Sequence, residues 1–301
     1  MKQTTLNDYK QRMLRVLVHI QRNLDDVISL EELAAVAAFS PYHFHRIFRG
    51  MVGESVKEHI RRLRLERAAT RLKHGGLPVT RIALEAGYES PEAFTRAFRA
   101  CLGVSPSEFR ARKGIVGSAQ GASRHVNYRE GGAIMDFEPV TPGGEAMDVQ
   151  FKELAPIRVA FIRHTGPYNE CGSAWEKLCM QLGKAGLFGG GARLFGLCYD
   201  DPEVTPADKI RYDACCSVGE DFQPVGDIGV TVIDGGLYAM TTHFGPFERI
   251  ADTYAQLFGV WLPRSGHEPR SLPCLEFYLT DPENTEPEDY VTDIYIPLQP
   301  R

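Results

Sequence analysis

The segment Ser40-Pro41-x-x-Phe44-x-Arg46-x-Phe48-Arg49 returns fifty residues later as Ser90-Pro91-x-x-Phe94-x-Arg96-x-Phe98-Arg99. Each copy opens with a serine able to cap a helix and a proline at the first helical position, where the missing N–H costs no hydrogen bond. The apolar residues then fall three and four apart: Phe44, Ile47, Phe48 and Met51 in one copy, Phe94, Ala97, Phe98 and Cys101 in the other. At 3.6 residues per turn, such a stripe faces a core. The opposite face carries Tyr42, His45, Arg46 and Arg49, and in the second copy Glu92, Thr95, Arg96 and Arg99. These side chains can reach base edges and phosphates in a DNA groove. A duplicated short helix with an apolar face and an arginine-bearing face constrains the front of this chain to a DNA reader.

Charge divides the 301 residues into two parts. Residues 1–114 hold 20 Lys and Arg against 12 Asp and Glu, and the remainder holds 14 against 27. The net charge of −5 hides a basic front suited to a polyanion and an acidic back suited to cations. No stretch approaches the ~20 apolar residues that cross a bilayer, and the N-terminus lacks a signal pattern. The seven cysteines have no metal-ligand spacing, so reduced thiols in a cytoplasmic protein are expected. For adjacent Cys215 and Cys216, two readings stand: a redox sensor or a pair of buried strand thiols.

Around the duplicated helices, the front half reads as helical throughout. Tyr9–Leu24 has a helical apolar face, and Ser29 with Glu32 reads as a capping box before the small apolar helix Leu30–Ala37. Val79–Ala86 plays the same scaffolding part before the second copy. Between the units, Val56 to Leu72 reads as one helix of roughly 25 Å at ~1.5 Å per residue. That length suits two reading helices about one DNA turn apart.

Leu30 to Arg112 resembles the DNA-binding domain of AraC/XylS transcription regulators. The residues carrying the likeness are Ile82-Ala83-x-x-x-Gly87-Tyr88-x-Ser90-x-x-x-Phe94-x-Arg96-x-Phe98-Arg99-x-x-x-Gly103-x-Ser105-Pro106-x-x-Phe109-Arg110. The resemblance implies an all-α double helix-turn-helix over residues 1–114, with bases met by Tyr42, His45 and Arg46 from one helix and by Glu92, Thr95 and Arg96 from the other. The full candidate DNA-contacting set is Ser40, Tyr42, His45, Arg46, Arg49, Ser90, Glu92, Thr95, Arg96 and Arg99. Arginine can fork onto guanine, glutamate can accept from a cytosine amine, and the threonine methyl can touch thymine. For Arg46, Arg96, His45 and Glu92 the alternative of a merely exposed charge stands beside the base contact. Arg62 is expected on phosphate. His43 and His59 read as surface or packing histidines.

From 115 to 145 the composition turns to Gly, Ser and Ala, which reads as a flexible linker. Residues 146–301 repeat at about eighty residues. His164-Thr165-Gly166-Pro167-Tyr168 returns as His243-Phe244-Gly245-Pro246-Phe247, and Thr205–Asp213 returns as Thr285–Asp293. Each unit reads as strand, Gly-Pro turn, helix and two strands, giving an α+β domain built from a duplicated βαββ unit.

This half, about Met147 to Gln299, resembles GyrI-like effector-binding domains. The likeness rests on Arg158-x-x-x-x-x-His164-x-Gly166-Pro167-Tyr168, Cys274-x-Glu276-x-Tyr278-x-x-Asp281-Pro282 and Thr292-Asp293-Ile294-Tyr295-Ile296-Pro297. It implies a groove between the two halves for small, often cationic and aromatic ligands, and Glu276 matches the acidic counter-ion position. Tyr168, Trp175, Phe247, Trp261 and Tyr290 are the aromatic candidates for its walls, with ordinary core packing as the alternative for each. Glu276 has an alternative as well, pairing with an arginine. The sequence shows no catalytic constellation, metal site or cofactor motif. The expectation is a non-enzymatic, multidrug-responsive regulator whose partners are double-stranded DNA, a small-molecule effector and RNA polymerase. A small-molecule hydrolase or a protein-interaction module remains the alternative for the back half.

Overall fold

The computed structural model describes residues 2–113, 126–128, 134–140, 147–184, 192–200, 202, 205–224 and 226–300. They fall into two compact units. One joins residues 39–51 and the N-terminal few residues to 141–301, and the other holds 8–38 and 52–140.

The helical region comprises α1 (Lys2–Arg22), α2 (Leu30–Ala37), α3 (Pro41–Val52), α4 (Val56–His74), α5 (Val79–Glu85), α6 (Pro91–Leu102) and α7 (Pro106–Ala111). Serine caps at Ser29, Ser55, Ser90 and Ser105 set the starts of α2, α4, α6 and α7. Ser29 accepts from the Glu32 N–H at 3.1 Å, but the Glu32 carboxylate lies 2.7 Å from His19 Nε2. The box expected there is therefore replaced by a cap and a hydrogen bond between His19 and Glu32. Complete boxes form instead at Ser55 with Glu58 and Ser105 with Glu108, fixing α4 and α7. Around α6, Phe94, Phe98 and Phe109 pack with Leu65, Leu72, Ile82 and Ala83 into one core. Gly103 ends α6 in the left-handed region at φ 78°.

Arg62 of α4 is not presented to a phosphate. Its guanidinium forks onto Glu54, with Nη2 2.6 Å from Oε1, and its Nη1 lies 2.8 Å from Glu66. His59 Nδ1 sits 2.8 Å from the same Glu54 oxygen. Burial works to raise the Glu54 pKa, yet the hydrogen bonds from His59 and Arg62 outweigh it and hold the carboxyl at about 2. The folded value lies below the ordinary 4.5, so this stabilisation is complete above about pH 4.5 and is lost as pH falls towards about 2. The pair is only partly covered, between the ~0–1 kcal/mol of exposed pairs and the ~3–5 kcal/mol lost on breaking buried ones. Glu54→Gln is expected to cost about 2 kcal/mol at pH 7 and to flatten the acid limb, measured by urea unfolding at pH 3 and pH 7.

Within the stretch expected as linker, β1 (Val126–Tyr128) and β2 (Ile134–Phe137) pair antiparallel, and Phe137 is fully buried. That part of 115–145 is structured because it contributes a core side chain. The glycine runs around 117–123, 131–132 and 143–144 lie outside the described residues.

The second region is one antiparallel eight-stranded sheet in the order β3-β8-β10-β9-β5-β6-β4-β7. Its strands are β3 (Gln150–Leu154), β4 (Ile157–Thr165), β5 (Leu194–Cys198), β6 (Arg211–Ser217), β7 (Gly229–Ile233), β8 (Gly236–Phe244), β9 (Cys274–Tyr278) and β10 (Val291–Pro297). The duplicated βαββ units are present: β4, α8 (Gly172–Lys184), β5 and β6, then β8, α9 (Ile250–Gln256), β9 and β10. They meet where β5 pairs with β9. Two strands outside the predicted unit complete the sheet by exchange. β3 precedes β4 in the chain but pairs with β8, while β7 precedes β8 but pairs with β4.

The repeated Gly-Pro turns have matching geometry. His164 donates from Nε2 to the Pro167 carbonyl at 3.0 Å, as His243 does to Pro246 at 3.2 Å. Gly166 and Gly245 stand at φ 148° and 109°, a backbone open mainly to glycine. An aromatic residue follows each turn, Tyr168 against Tyr212 and Phe247 against Tyr278 and Tyr290. Cys215 and Cys216 are buried in β6, where burial pushes both thiols up and away from redox reactivity.

Candidate nucleic-acid interface and effector groove

Helix α6 presents a polar face to solvent. Ser90 caps it by accepting from the Ala93 N–H at 3.2 Å, and Glu92, Arg96 and Arg99 are exposed. Arg99 also stands 3.6 Å from the Glu108 carboxylate. Thr95 donates its hydroxyl to the Pro91 carbonyl at 2.7 Å, so that group is committed to the helix backbone. The hydroxyl oxygen keeps its acceptor lone pairs and the methyl carries no polar commitment.

The corresponding face of α3 is covered. His45 and Arg46 are only 1% and 8% exposed, while Tyr42 and Arg49 are half-buried. Ser40 accepts from the Tyr42 N–H at 3.2 Å, and the Ser271 hydroxyl lies 3.1 Å from its own. His43 stacks on Phe258 with ring centres 5.2 Å apart, and its Nε2 donates to the Arg270 carbonyl at 2.8 Å. Burial and then the nearby Arg46 charge hold the His43 pKa at about 3, so the imidazole is neutral. The Arg46 guanidinium lies 4.4 Å from the centre of the Tyr254 ring, and its Nη1 is 3.4 Å from Cys274 Sγ.

Glu276 stands in β9 at the centre of the sheet, opposite Gly196 of β5, and is 7% exposed. Tyr254 donates to its Oε1 at 2.8 Å and Tyr278 to its Oε2 at 3.1 Å. From Tyr278 the hydroxyl chain continues to Tyr212 at 2.9 Å, and Trp175 Nε1 donates to Tyr212 at 2.9 Å. A side chain at position 196 would meet the Tyr212 ring at 2.5 Å, so glycine there leaves room for that tyrosine. Burial raises the Tyr254 and Tyr278 pKa values well above the phenol range, and the Glu276 charge adds to both shifts.

Rings from both repeats surround this carboxylate. Trp175 and Phe247 approach Tyr278 edge-on at 5.8 and 5.6 Å, Tyr290 lies 4.8 Å from Phe247, and Tyr168 lies 5.9 Å from Tyr212. Four of the five predicted aromatics therefore converge. Trp261 instead has Phe151 as its described ring partner, at 5.9 Å. Tyr212, Tyr254 and Tyr278 join the site as well; none is among the aromatic candidates, although Tyr278 stands in the motif shared with GyrI-like domains. Among the described residues no cluster of His, Cys, Asp and Glu could hold a metal ion, and no helix is long and apolar enough to cross a membrane.

Comparisons with known proteins bear on both regions of the chain. Residues 147–299 match the GyrI-like small-molecule-binding domain, and residues 33–112 match a helix-turn-helix domain. The chain is 31% identical over 155 residues to the probable transcriptional regulator YgiV of Escherichia coli K12, covering 50% of this chain and 96% of the relative. It is 39% identical over 95 residues to the transcriptional activator AarP of Providencia stuartii, covering 32% of this chain and 70% of the relative. The crystal structure of the EcmrR C-terminal domain aligns with a TM-score of 0.42 at 20% identity, covering 52% of this chain and 99% of that one. The chain belongs to the GyrI-like family, and joins its small-molecule-binding domain to an AraC-type helix-turn-helix region as a DNA-binding transcription regulator.

Proposed function

We propose that the regulator reads duplex DNA through α3 and α6 and senses a hydrophobic organic cation in the groove at Glu276. The observation that carries the effector class is the buried carboxylate at the meeting point of both repeats, held by two tyrosine hydroxyls and ringed by aromatic side chains. A carboxylate so placed gains from a cation that enters with it, and ring faces attract the same charge. Both Glu276 oxygens accept from tyrosines, an arrangement that favours holding a ligand over activating a water for hydrolysis.

The DNA half is tested with a duplex selected from a random pool by the full-length protein. Arg96→Ala is expected to cost about 1–3 kcal/mol and to relax preference at one base position. Fluorescence anisotropy against single-base variants of that duplex reads both effects. Unchanged affinity and unchanged base preference would remove α6 from the groove. The effector half is tested by Glu276→Gln, which removes the charge and keeps the shape.

A further inference from the structure

Two observations on α3 are not needed for sensing or for reading DNA. The first is Arg46, a cation from the DNA-reading face, stacked on the same Tyr254 whose hydroxyl binds Glu276. The Arg46 and Glu276 charges act in opposite directions on the same buried groups, Tyr168, Tyr254, Cys198 and Cys274. Its positive charge thus lies in the field of the groove carboxylate. The second is the approach of two backbones. A Cβ added at Gly259 would stand 2.1 Å from the Gly50 carbonyl carbon, and one added at Gly50 would stand 2.4 Å from the Ala255 carbonyl oxygen. Gly259 lies in a π-helical stretch, Leu257–Trp261, directly after α9, where the widened ladder reshapes the helix surface. Any side chain at either glycine would hold the helices apart.

We propose that α3 closes the groove of its own chain, with Arg46 serving as an internal stand-in for the cationic effector. The regulator is then autoinhibited. While Arg46 occupies the ring-lined site, His45 and Arg46 are withheld from DNA, and a ligand whose charge takes that place releases α3 for reading. Effector and docked helix compete for one site, so the effector raises DNA affinity. The apparent affinity for the effector is correspondingly lowered by the fraction of molecules that are closed. This inference rests on the sensor reading above and adds how the signal reaches DNA.

Gly259→Ala and Gly50→Ala test it from opposite sides of one contact, and neither removes a side chain that meets the ligand or DNA. Both are compared with wild type as full-length proteins, using tetraphenylphosphonium as the probe cation and the selected duplex. Amide hydrogen exchange across residues 41–51, DNA affinity and probe affinity are measured. Each variant is expected to lose at least about tenfold of the α3 exchange protection, and to bind both DNA and probe at least about tenfold more tightly without further activation by the probe. In wild type the probe is expected to produce the same exchange and DNA changes. If both folded variants keep wild-type protection and DNA affinity, the docking proposal is overturned, and probe binding that depends on Glu276 would leave the sensor reading standing. If both variants gain DNA affinity while no protein binds the probe, autoinhibition by α3 is supported and the cation-sensing reading falls.

Discussion

Phe98→Ala is expected to destabilise the second helix-turn-helix by about 3–5 kcal/mol, the range for deleting a fully buried aromatic ring. Phe98 has no exposed surface, and its ring contacts Phe94 at 5.4 Å and Phe109 edge-on at 5.5 Å. It thereby ties α6 to α7 inside a core that also takes residues from α4 and α5. A cavity there has nothing to collapse into, because the surrounding Leu65, Leu72 and Ile82 are already packed. The effect can be localised because both tryptophans, Trp175 and Trp261, lie in the GyrI-like half. Far-ultraviolet circular dichroism is dominated by helices α1–α7 of the helical region, with a smaller contribution from the helices of the sheet domain, while tryptophan fluorescence follows the sheet domain alone. In urea, the variant should show an earlier dichroism transition with an unchanged fluorescence transition, and DNA affinity should fall with the first. If both probes shift together, the two halves unfold as one cooperative unit.

The same phenylalanine shows why the helical half was legible in the sequence. Its stripe, Ser-Pro cap and terminal glycine are local signals, each acting within one helix, and the fifty-residue repeat reinforces them. The duplicated βαββ units were also legible, because His164 and His243 carry matching turns that local geometry requires. The exchanged outer strands were not. Nothing within Gln150–Leu154 states that its partner lies some ninety residues onward in β8, since pairing is a long-range choice set by the completed sheet.

The site shows the same division. Glu276 stood out because a carboxylate in an apolar alternating strand needs an explanation. Tyr278 could have been found with it, since residues two apart in a strand share a face. Tyr212 and Tyr254 could not, because their hydroxyls reach the site across a register and from a helix that only folding brings near. The covered face of α3 is the clearest case. Arg46 has the sequence signature of a base-reading arginine, and its stacking on Tyr254 depends on contacts more than two hundred residues away. Under the proposed autoinhibition one side chain meets both descriptions in two states, and the sequence pattern could suggest only the DNA-reading one.

Glu276→Gln is expected to weaken tetraphenylphosphonium binding by about 1.5–3 kcal/mol, the usual range for a hydrogen-bonded charged contact, or roughly 10- to 150-fold. Glutamine keeps the shape and can still accept from one tyrosine, so the fold should be retained. What disappears is the negative charge that a buried cation needs where water is excluded. Two effects oppose one another in this variant, because Arg46 draws on the same charge. Loss of the carboxylate weakens the ligand directly, but it also loosens α3 and so reduces competition for the groove. A neutral ligand of similar shape, such as triphenylphosphine oxide, feels only the second effect and should bind as well as before or better. Calorimetric titration of the two ligands against wild type and variant separates the terms. A loss confined to the cation assigns Glu276 as its counter-ion. Equal losses for both ligands would mean that Glu276 holds the tyrosines in place and that the groove does not select for charge.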